Sequence, residues 1–245
     1  MDISKQIKVI NQAFLKGLKA ILNEKLYAVF IYGSAAFPDV LSIVDIDFHV
    51  ILKSNLTNKE RSELEKLHKL LSQRFPPLGG ELDGYYILLK DARLKSSPKS
   101  QMWKRVTDNS WALHREHILA GRYIHLFGSK PEEIYQPTMW LEIENALCGE
   151  LNYVEKHLKD YPGYCILNLC RLIYSFKTRD VVISKAKASE WAYKVLPEWQ
   201  KLIKLARKSY NHQATLKDKQ FLNAEVRKFF EFAERYITKL SKKRK

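Results

Sequence analysis

The sequence predicts an α+β protein, in which an N-terminal α/β domain with a mixed sheet precedes an all-helical bundle. Up to about residue 93, short apolar runs alternate with segments of helical periodicity, which is typical of an α/β unit. After residue 137 only helical spacing of apolar residues recurs. The stretch 128–137, "GSKPEEIYQP", carries a glycine and two prolines and is typical of a linker. We therefore expect two domains, 1–136 and 137–245.

The first domain is expected to run helix, strand, strand, helix, strand. Apolar residues at helical spacing predict an amphipathic helix over about 3–23. "TNKE" at 57–60 has the pattern of a capping box and begins a helix that reaches about residue 72. "FPPLGG" at 75–80 predicts a turn, and no strand is expected after residue 93. The predicted strands cover residues 27–32, 45–52 and 82–89.

Helical periodicity continues through the second half of the chain. Apolar residues keep helical spacing near 147–158, 166–173, 199–206 and 217–240. Since these segments show no strand pattern between them, this half is expected to form a helical bundle.

The composition favours a folded protein that does not cross a membrane. The chain is 46% hydrophobic, which is enough for a core, and it has no apolar run of about 18 residues. The N-terminal residues lack the apolar core of a signal peptide, and Cys148, Cys165 and Cys170 are expected to be reduced core thiols, so we predict a cytoplasmic monomer. The net charge of +15 favours an anionic partner, a nucleotide or, less favoured, nucleic acid, although a solvated lysine-rich surface also explains it.

The most informative motif is "IYGS", followed after ten residues by "DID". Asp45 and Asp47 are expected on one face of a strand, where their carboxylates repel each other. A bound Mg²⁺ removes that repulsion, because it prefers carboxylate and phosphate oxygens. Gly33 lets the backbone approach a phosphate closely, and Ser34 offers N–H and O–H donors to it. The combination predicts metal-assisted nucleotidyl transfer, whereas surface acids at a strand start are the bland alternative.

A third carboxylate is expected from the third strand. Glu81 and Asp83 are two residues apart, so strand alternation places them on one face. Either could complete the metal shell or take the proton from an attacking hydroxyl. The roles of three histidines are more ambiguous. His49 either supports a ligating carboxylate or is a satisfied core histidine, which we favour, and the pair His114 and His117 lacks the spacing of a zinc peptidase.

These motifs resemble a known group of enzymes. Gly-Ser, a spacer of about ten residues and Asp-x-Asp are similar to the DNA polymerase β-like nucleotidyltransferase superfamily. The segment 168–210, with its "SK...EWA...LP" block, resembles the C-terminal helical domain of streptomycin/spectinomycin-type aminoglycoside adenylyltransferases, and "LFGSKPEEI" resembles the link that precedes that domain. The resemblance covers nearly the whole chain, in the family's order.

The resemblance implies an antibiotic-resistance enzyme that transfers AMP from ATP to a hydroxyl of an aminoglycoside-like molecule with the help of Mg²⁺. It implies metal-binding roles for Asp45, Asp47 and Asp83, and a general-base role for Asp83, with Glu81 as the reserve choice. In the helical domain it implies contacts with the ATP phosphates. The nucleotide-binding candidates, with the Gly-Ser turn, are Gly33, Ser34, Arg171, Lys185 and Tyr210.

The acceptor site departs from the family pattern. The family carries acids about ten residues before its arginine, where they meet the cationic drug. Here Tyr161 and Tyr164 occupy the nearest positions, and Asp160 is the only acid nearby. Trp103 and Trp111 lie near the position where the family presents an aromatic residue, although core packing is the favoured role for either. The acceptor candidates are Glu81, Trp103, Trp111, Tyr161 and Tyr164. An RNA or protein acceptor, or nucleotide binding without aminoglycoside activity, are the alternatives.

Overall fold

The computed structural model describes residues 3–39, 43, 45–103 and 110–242. The chain divides into two compact units, one ending at Thr138 and one beginning at Met139, with Asp39 grouped in the second. The assignment of residues 1–136 to a catalytic nucleotidyltransferase domain and of 137–245 to a helical domain that closes on substrate and nucleotide stays a prediction.

The first unit combines helices with a four-stranded sheet. Its helices are α1 (Ile3–Leu22), α2 (Asn58–Arg74), α3 (Leu89–Ala92) and α4 (Trp111–Leu119). Its strands are β1 (Leu26–Tyr32), β2 (Ile46–Leu52), β3 (Leu82–Leu88) and β4 (Ile124–Gly128). Short 3₁₀ turns at Gly33–Ala36 and Leu78–Gly80 follow β1 and precede β3. The predicted capping box is present at the start of α2, where the Thr57 side chain accepts from the Glu60 backbone N–H at 3.2 Å.

The sheet is mixed, in the order β3-β2-β1-β4. β1 lies antiparallel to β2 and to β4, and β2 lies parallel to β3. The predicted α+β class with a mixed sheet is thereby confirmed. The expectation of no strand after residue 93 is wrong, because β4 pairs with β1 at the sheet edge. This edge strand is short and none of its residues is buried. Because it needs no apolar face, its sequence "IHLFG" lacks the apolar run by which the other strands were predicted.

The two faces of the sheet pack against different cores. α1 and α2 cover one face, where Phe14 and Leu64 are fully buried against Phe48 and Val50 of β2. The other face packs against α4 and the residues around Tyr135. Since β-strand side chains alternate, Asp47 and Asp83 belong to this second face.

The second unit is a bundle of five helices within the described residues. They are α5 (Trp140–His157), α6 (Pro162–Thr178), α7 (Lys185–Val195), α8 (Gln200–Tyr210) and α9 (Leu216–Lys242). α6 lies at the centre and contacts the other four, which explains why it is apolar on most of its surface. The predicted helical second half is confirmed.

Two further expectations bear on the chain as a whole. None of the helices formed by the described residues has the length and apolar character needed to span a bilayer. Cys165 and Cys170 are buried free thiols, as expected, whereas Cys148 is exposed on α5 and is not a core residue. Its position in a helix of apolar periodicity did not reveal that it faces away from the bundle.

Candidate active site

The turn after β1 brings the backbone against a carboxylate. Gly33 has a φ of +65°, which L side chains rarely adopt, and a Cβ at this position would collide with the Asp47 carboxylate. Only glycine therefore satisfies both the backbone and the space. The next residue, Ser34, has its hydroxyl oxygen buried without a hydrogen-bond partner among the described residues, so this hydroxyl is available to a bound ligand.

Two of the predicted carboxylates lie side by side. Asp47 of β2 is the register partner of Asp83 of β3, and on its other side it pairs with Tyr32 of β1. Neighbouring strands are about 4.8 Å apart, so the two aspartates lie on adjacent strands at the same height. Asp47 is half-buried and Asp83 is exposed. The sheet thus presents a carboxylate pair next to the Gly33 turn, with one member open to solvent.

The other two acids lie just outside the strands. Asp45 immediately precedes β2 and is half-buried. Glu81 ends the 3₁₀ turn before β3 with φ −103° and ψ 27°, which is not an extended conformation. The alternation that would place Glu81 on the face of Asp83 therefore does not extend to it. Its backbone carbonyl instead accepts from the Ile46 N–H at 2.8 Å, which fixes the start of β2.

These residues fit a magnesium ion in part. Within the described ranges, no group of three or more His, Cys, Asp and Glu side chains is close enough to hold a metal by itself. Mg²⁺ does not require such a group, because it usually takes one or two carboxylates together with water and substrate phosphates. The pair Asp47 and Asp83, beside the buried Ser34 hydroxyl, has this chemistry.

A layer of aromatic and histidine side chains lies behind the carboxylates on the same sheet face. Tyr32 is buried, and its hydroxyl is hydrogen-bonded to His114 Nδ1 at 3.2 Å, whose Nε2 is 2.9 Å from the Ser110 hydroxyl. Burial raises the pKa of Tyr32 well above its usual range, and the nearby Asp47 and Asp83 raise it further. Tyr32 therefore stays a neutral phenol beneath the carboxylate pair.

His49 belongs to this layer. Its ring is fully buried, with its Nδ1 3.0 Å from the Tyr135 hydroxyl and its ring centroid 4.6 Å from that of Tyr32. Burial, and then the neighbouring His114, lower the pKa of His49 well below its usual value. His49 is consequently a neutral core histidine that packs against the residues supporting the site.

The two tryptophans proposed for the acceptor lie on different sides of the sheet. Trp111 is 1% exposed and packs in the core beside His49 and Tyr135. Trp103 is 42% exposed, but it packs against Tyr86. Tyr86 follows Asp83 by three residues and points to the opposite face. Trp111 thus lies on the sheet face of the carboxylate pair but in its core, whereas Trp103 lies on the opposite face, and an acceptor role for either stays a prediction.

The predicted nucleotide residues of the helical unit lie close together. The Lys185 Nζ is 4.3 Å from the centroid of the Tyr164 ring and 5.5 Å from that of Tyr210. Arg171 is ion-paired with Glu150, with 3.7 Å between its terminal nitrogen and Glu150 Oε2. Lys185 of α7 therefore lies against phenol rings from α6 and α8, and Arg171 of α6 lies beside a carboxylate of α5.

Sequence reasoning did not identify Glu150 and Asn168. The fully buried Asn168 amide donates to both Glu150 Oε2 and the Tyr164 hydroxyl, each at 3.4 Å. Glu150 lies on α5, twenty-one residues before Arg171, so neither helical spacing nor a motif connects it to this group. Tyr161 differs from Tyr164, because it is 60% exposed and stacks on His157 at the surface.

Comparisons with known proteins agree with this architecture. Residues 139–235 match the family of aminoglycoside adenylyltransferase C-terminal domains. A solved structure of spectinomycin adenyltransferase AAD(9) from Enterococcus faecialis, crystallised with ATP and spectinomycin, superposes with a TM-score of 0.72 at 17% identity, covering 94% of this chain and 98% of that chain. A comparison with curated protein sequences finds no match.

The family match confirms the predicted resemblance of the helical half to the C-terminal domain of aminoglycoside adenylyltransferases. The superposition extends over nearly the whole chain, so the mixed sheet followed by a helical bundle is the fold of that solved structure as well. At 17% identity, this structural likeness establishes a shared fold and nothing about the activity.

Proposed function

We propose that this chain, whose residues 139–235 match the family of aminoglycoside adenylyltransferase C-terminal domains, transfers AMP from ATP to a hydroxyl of a small cationic molecule of the aminoglycoside type. The observation that carries the proposal is the register pair Asp47 and Asp83 beside the Gly33 turn. Such a pair next to a phosphate-binding turn suits phosphoryl chemistry, which depends mainly on positioning and on neutralising charge.

The carboxylates of the first unit would hold the metal. Asp45 and Asp47, with Asp83, are the proposed ligands of Mg²⁺, and the buried Ser34 hydroxyl is the proposed donor to a phosphate oxygen. A bound Mg²⁺ would neutralise the charge of the carboxylates and of the phosphates together. The role of Gly33 is to leave room for the Asp47 side chain at the turn.

The exposed carboxylate of Asp83 is the proposed general base. As the acceptor oxygen forms its bond to the α-phosphorus, the proton of the hydroxyl passes to Asp83, and the bond from the α-phosphorus to the bridging oxygen breaks to release pyrophosphate. Asp83 is solvent-accessible and adjacent to Asp47, whereas Glu81 lies outside the strand. These positions favour Asp83 for the base and leave Glu81 as a candidate for binding a cationic group of the acceptor.

The helical unit would bind the phosphates of the nucleotide. Arg171 and Lys185 supply positive charge that matches a triphosphate and the pyrophosphate that leaves it, and Tyr210 supplies a hydroxyl donor. Their proximity within the bundle supports the assignment.

The acceptor is proposed to be a cationic drug of the spectinomycin or streptomycin type. The AAD(9) structure contains spectinomycin, which makes that drug the first to test. A polyanionic acceptor such as RNA is the second candidate, since the net charge of +15 would attract it.

A direct assay tests the proposal. The purified protein is incubated with ATP labelled in its α-phosphate, Mg²⁺, and spectinomycin, streptomycin or RNA in separate reactions, and labelled products are separated. Label on a drug supports the proposal, and label on RNA alone supports the second candidate. ATP binding without labelled product from any acceptor would indicate a nucleotide-binding protein instead.

A further inference from the structure

The ammonium of Lys185 lies against two tyrosine rings of the helical unit. Its Nζ is 4.3 Å from the Tyr164 centroid and 5.5 Å from the Tyr210 centroid. Both distances fall within about 6 Å, the range in which the negative face of an aromatic ring attracts a cation. Because the lysine begins α7 while the rings come from α6 and α8, the contact joins three helices at one charged group.

The nearer ring is itself held in place. The Tyr164 hydroxyl accepts from the buried Asn168 amide at 3.4 Å, and the same amide donates to Glu150 Oε2 at 3.4 Å. Burial raises the pKa of Tyr164, and Glu150 raises it further, so the ring is a neutral phenol. Glu150 Oε2 also lies 3.7 Å from the guanidinium of Arg171. One carboxylate thus anchors Arg171 directly and the Tyr164 ring through Asn168.

We propose that Tyr164 is a positioning residue that holds the Lys185 ammonium where it binds the phosphates of the nucleotide. This inference rests on the proposed function, which assigns Lys185 to the nucleotide. It gives Tyr164 a different role from the direct acceptor contact expected from the sequence. A free lysine stem samples many rotamers, and a phosphate that binds it must restrict them. A ring that already restricts the stem reduces that loss of entropy and so strengthens nucleotide binding.

A double-mutant cycle between Tyr164 and Lys185 tests the inference. The affinity for ATP with Mg²⁺ is measured by calorimetry for the wild type, Tyr164→Leu, Lys185→Gln and the double variant. We expect Tyr164→Leu to weaken ATP binding about three- to tenfold in the wild-type background, which matches the usual strength of a cation–π contact. In the Lys185→Gln background, the same substitution should change the affinity by less than about twofold, because the ammonium that it positions is gone.

Two further variants separate positioning from general damage. Tyr164→Phe keeps the ring and loses the hydroxyl, so it should weaken ATP binding less than Tyr164→Leu does. Tyr193→Leu makes the same chemical change at a 39% exposed position of α7 and should leave ATP affinity unchanged. Thermal melting of every variant checks the fold, and Tyr164→Met replaces Tyr164→Leu if the latter does not fold.

The outcomes are distinguishable. Equal losses of ATP affinity in the two backgrounds would overturn the positioning role, since the effect would not pass through Lys185. An increase in the KM for the acceptor with unchanged ATP affinity would also overturn it and favour direct acceptor contact. Failure of the wild type to bind ATP would overturn the proposed function and the positioning role together, whereas the first two outcomes leave the proposed function intact.

Discussion

Replacing Gly33 by alanine is expected both to strain the backbone and to displace a carboxylate of the candidate active site. Gly33 has a φ of +65°, and its missing Cβ leaves the space that the Asp47 side chain occupies. A left-handed conformation costs an L-residue about 1–2 kcal/mol, so Gly33→Ala should lower the free energy of unfolding by at least this amount. The new methyl group must also displace the Asp47 carboxylate from its place beside Asp83. Because small displacements of a positioned group are costly in catalysis, we expect AMP transfer to fall by about 100-fold.

Gly121 provides a matched control. Its φ of +80° imposes the same kind of backbone strain, but a Cβ there would meet nothing within 4 Å. Gly121→Ala should therefore also lower the free energy of unfolding by about 1–2 kcal/mol, but it should keep the wild-type rate of AMP transfer. Urea denaturation gives the free energies of unfolding, and the labelled-ATP assay gives the rates. If Gly33→Ala transfers AMP as fast as Gly121→Ala, the Gly33 turn does not shape the active site and the reasoning is refuted.

Three further predictions address the base, the pH dependence and a helix cap. Asp83→Asn should lower turnover by about 100-fold or more and leave ATP binding intact, because it removes the general base. Glu81→Gln should mainly raise the KM for the acceptor. The reverse pattern in steady-state kinetics would exchange the roles of the two acids. Burial lowers the pKa of His68 to about 4, and its Nε2 lies 2.9 Å from the Tyr86 hydroxyl. Because this histidine takes up a proton at a higher pH in the unfolded chain than in the folded one, the free energy of unfolding measured with urea should fall as the pH drops from 7 to 4. His68→Gln should flatten that decline. Thr57→Ala removes the cap of α2 and should cost about 1 kcal/mol of unfolding free energy; no loss would mean that the cap contributes nothing to stability.

The parts of the fold that follow from local patterns were predictable. The helical spacing in α1, the capping box at Thr57 and the apolar runs of β1 and β2 each depend on residues close in sequence, and each is present. β4 was not predicted, because a short edge strand with no buried residue needs only backbone pairing with β1. Strand alternation predicted one shared face for Asp45 and Asp47 and another for Glu81 and Asp83, but it could not show that Asp47 and Asp83 are register partners on adjacent strands.

Sequence patterns also predicted the candidate active site only in part. Alternation also suggested that Glu81 shares the face of Asp83, yet the backbone of Glu81 turns before the strand begins. Glu150 and Asn168 act through tertiary contacts between α5 and α6, and no spacing rule links residues on separate helices of a bundle. No acid occupies the position of Tyr164 in the sequence, but Glu150 of α5 supplies a carboxylate that is linked to the Tyr164 hydroxyl through the Asn168 amide.

The mass of the acceptor after reaction tests the central claim most directly. Spectinomycin and streptomycin are each incubated with ATP, Mg²⁺ and either the wild-type protein or Asp47→Asn, and the products are analysed by mass spectrometry. With the wild type, we predict an adduct of one AMP on a drug hydroxyl. With Asp47→Asn, whose fold is checked by thermal melting, we predict that the yield of this adduct is lower by a factor of about 100 or more. An undiminished yield from Asp47→Asn, or no adduct on either drug from a wild-type protein that binds ATP, would contradict the account.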